Sequence, residues 1–154
     1  MVVLIDQILQ EFNNNKHGAS VIVMLLKSLT TEEEEEFSKC VYEYMEDLKR
    51  RLEVQELSTN LVRLTLEELD DEYDDPTVIG LDYGDMRKTY KMVLDSSEKT
   101  IKVMQINLEF LSKLNLYFYG TYDLNQLTVE LQKLKGAKNI TPKLAVIKGG
   151  KYYE

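Results

Sequence analysis

Between Asp85 and Asn115 the chain holds a helical period longer than anywhere else, without Gly or Pro. Apolar residues recur at Met86, Tyr90, Val93, Ile101, Met104, Leu108 and Leu111, in steps of three and four or their sums. A second stripe runs beside them through Leu94, Ile106, Phe110 and Leu114, while Arg87, Lys88, Lys91, Lys99 and Lys113 fall mostly off both. Two adjacent stripes make a broad apolar face, so the spacing predicts a central helix around which the rest must pack. A straight helix of this length runs roughly 46 Å. A compact chain of 154 residues is only about 38 Å across. Either the molecule is elongated or the helix breaks, and Asp95-Ser96-Ser97-Glu98 is where a new capping box could form.

Charge divides the chain in two. Residues 1–85 hold 21 Asp and Glu against 7 Lys and Arg, and residues 86–154 hold 6 against 12. Such asymmetry either neutralises itself, within one molecule or between two, or points to a charged partner. One cysteine, Cys40, excludes an internal disulfide and fits a reducing compartment. No apolar run reaches the length of a membrane span. The start, Met1 to Asp6, lacks the basic region and cleavage site of a signal peptide. These features suggest one cytoplasmic domain over residues 1–154, acidic and helical over residues 1–85 and basic over residues 86–154.

Before the central helix, Val3, Leu4, Ile8, Leu9 and Phe12 mark the apolar face of a short helix, ended by Asn13-Asn14-Asn15-Lys16-His17-Gly18. His17 is the only histidine and suits a solvated loop better than a metal site. Val21 to Leu26 is a continuous apolar run that the neighbouring helices favour as a helix. Thr30 or Thr31 can cap the next helix, with Glu33 or Glu34 closing a capping box. The acids of Glu32 to Glu36 then complement the helix dipole. That helix presents Phe37, Cys40, Val41, Tyr44, Leu48 and Leu52, placing Cys40 toward the core, and Lys49, Arg50 and Arg51 suit its end. Ser58 can cap a further helix with Leu61, Leu64 and Leu69 on its face.

An acidic segment follows: Glu67, Glu68, Asp70, Asp71, Glu72, Asp74, Asp75, Asp82 and Asp85, with no base among them. A helix–loop–helix calcium loop started at Asp70 fails, because Asp75 stands where Gly is needed and Leu81 where a bidentate acid is needed. A solvated loop and a partner-binding acidic face remain, the latter presenting carboxylates where a nucleic acid presents phosphates. Within the segment, Val78-Ile79-Gly80-Leu81-Asp82-Tyr83-Gly84-Asp85-Met86-Arg87 resembles the first strand of ribonuclease-H-like nucleases such as the Holliday-junction-resolvase-like family. The resemblance implies a metal ligand at Asp82. That family next needs strands and further acids, whereas this chain enters a long helix, so the reading is not adopted.

After the central helix, Leu116 to Tyr119 reads as a strand ending at Gly120. Asp123 caps a helix with Gln126 closing the box, Leu124, Leu127, Leu131 and Leu134 on one face, and Gly136 ending it. Lys143 to Lys148 reads as a second strand, and Gly149-Gly150 as a hairpin turn before Lys151-Tyr152-Tyr153. This order resembles the end of a winged-helix DNA-binding domain. The expected fold is mainly α with a small β element (α+β): a helical bundle around the 85–115 helix, with a C-terminal strand–helix–hairpin unit.

No nucleophile–base pair, phosphate loop or metal-ligand cluster stands out, so catalytic, cofactor and metal residues are all expected to be none. The leading function is a non-enzymatic interaction protein, a regulator or inhibitor, whose nine acids from Glu67 to Asp85 bind or block a basic protein surface, such as nucleic-acid-handling machinery presents. The alternative is a winged-helix-like nucleic-acid-binding regulator. It would use Lys133, Lys135, Lys138, Lys143, Lys148 and Lys151, with tyrosines 117, 119, 122, 152 and 153 available for stacking. Expected partners are therefore a basic protein surface, a nucleoprotein complex or a second copy, with no membrane.

Overall fold

The computed structural model describes residues 2–73 and 83–144. It contains α1 (Val2–Asn14), α2 (Gly18–Ser28), α3 (Thr31–Tyr73), α4 (Tyr83–Phe118) and α5 (Leu124–Leu144). Among the described residues there is no strand. The expected α+β class is therefore corrected to a helical one. No helix among the described residues is long and apolar enough to cross a membrane.

Two helix starts follow their local chemistry. The Thr30 Oγ1 accepts from the Glu33 N–H at 3.2 Å, and the Glu33 carboxylate accepts from the Thr30 N–H at 2.9 Å, which is a capping box opening α3. Asp123 and Gln126 do the same for α5, at 2.7 and 3.1 Å. The strand expected at Leu116–Tyr119 is instead the end of α4. Gly120 takes the left-handed conformation (φ 83°), and the Gly120 and Thr121 N–H groups donate to the Tyr117 and Leu116 carbonyls at 3.0 and 2.9 Å. The glycine ends a helix, not a strand.

The expected breaks at Ser58 and Gly136 are absent, and of the two alternatives left open for α4 it takes the unbroken one. α3 runs through Ser58 and α4 through Asp95–Glu98, because cap-forming residues permit a helix to start but nothing there forces the preceding one to stop. α5 runs past Gly136 to Leu144, so Lys143 and Leu144, expected in a strand, are helical. The remainder of the expected hairpin, 145–153, lies outside the described residues.

The chain divides into two compact units, residues 1–47 with 106–154, and residues 48–105. Unit 1 holds the larger core. Phe12 of α1 stacks on Phe110 of α4 with ring centroids 4.6 Å apart, and Phe37 of α3 meets Phe118 edge-on at 5.7 Å. Ile5, Ile22, Val41, Leu111, Leu114, Leu127 and Leu131 are fully buried around them. Leu108 and Cys40, expected inside, are half-buried. A Cβ on Gly18 would lie 2.5 Å from the Glu11 carbonyl oxygen, so only glycine lets α2 turn back this close to α1.

Unit 2 is an antiparallel pair, residues 48–73 of α3 against 83–105 of α4, tied by Arg63–Glu98 at 3.1 Å and by Arg87–Asp70. Its inner seam on α3 repeats at Leu48, Leu52, Gln55, Thr59, Val62, Leu66 and Leu69, a heptad spacing. Thr59 is buried there, with its hydroxyl donating to the Gln55 carbonyl at 2.7 Å. Met86 and Val93, expected on the buried face of the central helix, are exposed. So are Leu61 and Leu64, which lie outside the seam that buries Leu69.

Phe110→Ala should lower unfolding free energy by about 3–5 kcal/mol, since a fully buried ring leaves a cavity. Val93→Ala should change it by less than about 1 kcal/mol, since the side chain is already exposed. Equilibrium urea unfolding of the two variants measures both.

Candidate functional site

The acidic segment begins where α3 ends. Burial of Leu66 and Leu69 fixes the inward face of the last turns and leaves Glu67 and Glu68 exposed. Asp70 sits on the flank, half-exposed, paired with Arg87 of α4. Asp71 and Glu72 belong to the last turn of α3. Asp85 is exposed in the first turn of α4. Asp74, Asp75 and Asp82 lie outside the described residues, as does most of the stretch resembling a nuclease strand. From Tyr83 onward that stretch is helical. Among the described residues no three His, Cys, Asp or Glu side chains converge to hold a metal ion.

The two charge runs of α3 differ physically. Glu32, Glu33 and Glu34 occupy its first turn, where the partial positive charge of the helix N-terminus favours carboxylates. Hydrogen bonds from the Thr30 backbone and hydroxyl hold the Glu33 carboxyl below the usual range. The second run sits at the opposite pole. The last turn of α3 contains no base, so its acidic residues stand at the negative end of the dipole. Local helix chemistry explains the first run and opposes the second.

The basic set is distributed differently. Lys133 is exposed and reaches Glu130 at 3.3 Å. Lys135 is half-buried; its ammonium donates to the Phe12 carbonyl at the end of α1 and lies 5.1 Å from the centre of the Phe12 ring. Burial lowers the Lys135 pKa, against an opposing pull from Glu11. This lysine serves the core of unit 1 as a cap and a cation–π contact. Lys138 and Lys143 lie on α5, and Lys148 and Lys151 lie outside the described residues. Of the tyrosines, Tyr119 is exposed and Tyr117 half-buried, with burial and then the Glu34 charge raising the Tyr117 pKa. Tyr152 and Tyr153 lie outside the described residues.

A shallow depression of about 260 Å³ lies on unit 1 between Tyr122, Asn125, Gln126, Val129 and Glu130. Its carboxylate is already engaged. Glu130 accepts from Lys113 and Lys133, both at 3.3 Å, and those bonds lower its pKa. Burial alone would lower the Lys113 pKa, but Glu130 and Glu109 outweigh it and raise the value. The depression therefore offers an occupied ion pair and an apolar wall.

One surface escaped the sequence reading. Val54, Leu57, Leu61 and Leu64 form an exposed apolar stripe on α3, opposite its inner seam. Their 3-4-3 spacing was the available signal, obscured by the expected helix start at Ser58. Comparison of the chain with protein-family models, curated proteins and solved structures finds no match.

The Lys113–Glu130 pair has a defined pH signature. The folded-state pKa of Glu130 is below its ordinary 4.5, so its contribution is present above that value and is lost as pH falls through the folded pKa. The Lys113 pKa is above its ordinary 10.5, so its contribution is present below that value and is lost as pH rises through the folded pKa. Glu130→Gln should flatten the acid limb of a melting-temperature profile below about pH 4.5 and leave the profile near neutrality parallel to the parent.

Proposed function

We propose that this chain is a non-enzymatic interaction protein whose acidic junction, from the end of α3 to the start of α4, receives a basic protein surface. The observation that supports this reading is the placement of acid against the helix dipole. Each carboxylate in the last turns of α3 weakens the helix by roughly 0.3–1 kcal/mol at low salt, and like-charge neighbours add to that. A run of acids that destabilises its own helix calls for an explanation outside it, and attraction of a cationic partner supplies one. Leu66, Leu69 and the Asp70–Arg87 pair give the junction a fixed base. The single half-buried thiol is in keeping with a cytoplasmic setting.

The test compares two sets of neutral substitutions with equal change in net charge. Asp71→Asn, Glu72→Gln, Asp74→Asn and Asp75→Asn together should abolish capture of a basic protein partner from cell extract. Glu32→Gln, Glu35→Gln, Glu36→Gln and Glu43→Gln together should leave capture intact. Equal loss in both sets would reduce the effect to overall charge and remove support for a junction site.

A further inference from the structure

We infer that the exposed stripe Val54, Leu57, Leu61 and Leu64 is a self-association seam, on which a second copy of this chain docks with its α3 antiparallel to the first. These four side chains are 66%, 66%, 66% and 55% exposed. Over the same turns the inner seam of unit 2 is Leu52, Gln55, Thr59 and Val62. The outward face of α3 is thus more apolar than the face turned toward α4. A helix apolar on opposite sides is built to be covered on both.

Spacing and charge select the occupant. The steps 3-4-3 read the same in both directions, so a two-fold axis beside position 59 sets Val54 opposite Leu64 of the second copy and Leu57 opposite Leu61. One layer further out in the same stripe stand Arg50 at one end and Glu68 at the other, both exposed. Antiparallel pairing sets Arg50 against Glu68 twice. Parallel pairing sets Arg50 against Arg50 and Glu68 against Glu68. The flanking positions favour the reverse: antiparallel pairing brings Glu53 near Glu67, and parallel pairing brings Glu46 near Arg51. Those contacts lie on the solvated rim, where charge pairs are weak, whereas Arg50 and Glu68 close the ends of the apolar seam. The next step would oppose position 47 to position 71, aspartate to aspartate, which ends the seam. Four apolar side chains per copy form a short seam and suit a reversible dimer with Kd on the order of micromolar.

The pairing does not rest on the acidic-junction function, and the two are separable by variant. Sedimentation equilibrium of the full chain from 1 to 200 μM, chosen to bracket roughly that affinity, should show a monomer–dimer equilibrium. Leu57→Gln with Leu61→Gln should raise Kd by roughly a hundredfold or more, with helical circular dichroism unchanged and capture of a basic partner retained. Arg50→Glu alone should weaken the dimer about tenfold, and Arg50→Glu with Glu68→Arg should restore it. If Arg50→Glu lowers helicity, Glu68→Lys alone reads the same contact and must weaken the dimer comparably. A monomer throughout the concentration range overturns the proposal, including one whose stripe is covered by its own residues 145–154 or by a different protein. A dimer unaffected by the leucine pair, or a charge swap that fails to restore it, overturns it as well.

Discussion

Unit 1 rests on the stacking of Phe12 against Phe110. Four helices are committed to that contact through different atoms. α1 and α4 supply the rings, α2 comes close to Phe12 because Gly18 has no side chain, and Lys135 of α5 covers the ring and binds its carbonyl. The carbonyl lies in the last turn of α1, where intrahelical donors run out, so the ammonium satisfies an acceptor that the helix leaves open. Asn13 continues the same tie, donating to the Leu9 carbonyl and to Asn107 of α4, both at 2.8 Å. The consequence for function is a loss. A lysine that reads as belonging to a basic, phosphate-binding end is spent on holding α5 to α1.

Among its described residues unit 2 has no such convergence. Two helices share a single seam, and of its apolar side chains among the described residues Leu48, Leu66 and Leu69 are buried, while Val54, Leu57, Leu61, Leu64, Met86, Met92, Val93 and Val103 are exposed. Periodicity alone does not separate these outcomes. The stripes of α4 have the spacing of a buried face along their whole length, yet Phe110, Leu111 and Leu114 are buried and Met86 and Val93 are not. Between residues 106 and 118 the helix belongs to a many-helix core, and between 83 and 105 it has one partner helix within its unit.

Local chemistry was legible and termination was not. The capping boxes at Thr30–Glu33 and Asp123–Gln126 form as their spacing predicts, because each is closed within four residues. Ser58 and Asp95 carry the same chemistry in helix interiors, and α3 and α4 continue through them. Leu116–Tyr119 is rich in strand-forming aromatics, but it follows a helix already propagating, and adding a residue to a helix is easier than nucleating a strand without a partner. Gly120 reads as a stop in the sequence, and the element that it stops is a helix. Gly136 reads as a stop too, because glycine disfavours helix by about 1 kcal/mol, a penalty that the surrounding turns of α5 absorb. The acids from Glu67 to Asp85 were visible as a run. Their opposition to the helix dipole was not, since it depends on where α3 ends, at Tyr73.

The continuity of α3 also determines what its outward stripe means. Had a helix started at Ser58, Val54 and Leu57 would have belonged to a loop and would not have joined Leu61 and Leu64 in one stripe. In one unbroken helix Val54 and Leu57 join Leu61 and Leu64 on the outward side, and the inner seam that buries Leu69 is the one interrupted by Gln55 and Thr59. Burying a leucine side chain stabilises by about 1.5–3 kcal/mol, so leaving three leucines and a valine in water while a threonine is enclosed forgoes several kcal/mol in a separate chain. Covering that stripe with a second α3 recovers the difference without changing the inner seam. Association and the stability of unit 2 are then linked by mass action, because the partner binds the folded helix and not the unfolded chain. The same stretch that gives unit 2 a thin core also gives it the means to complete that core in a pair.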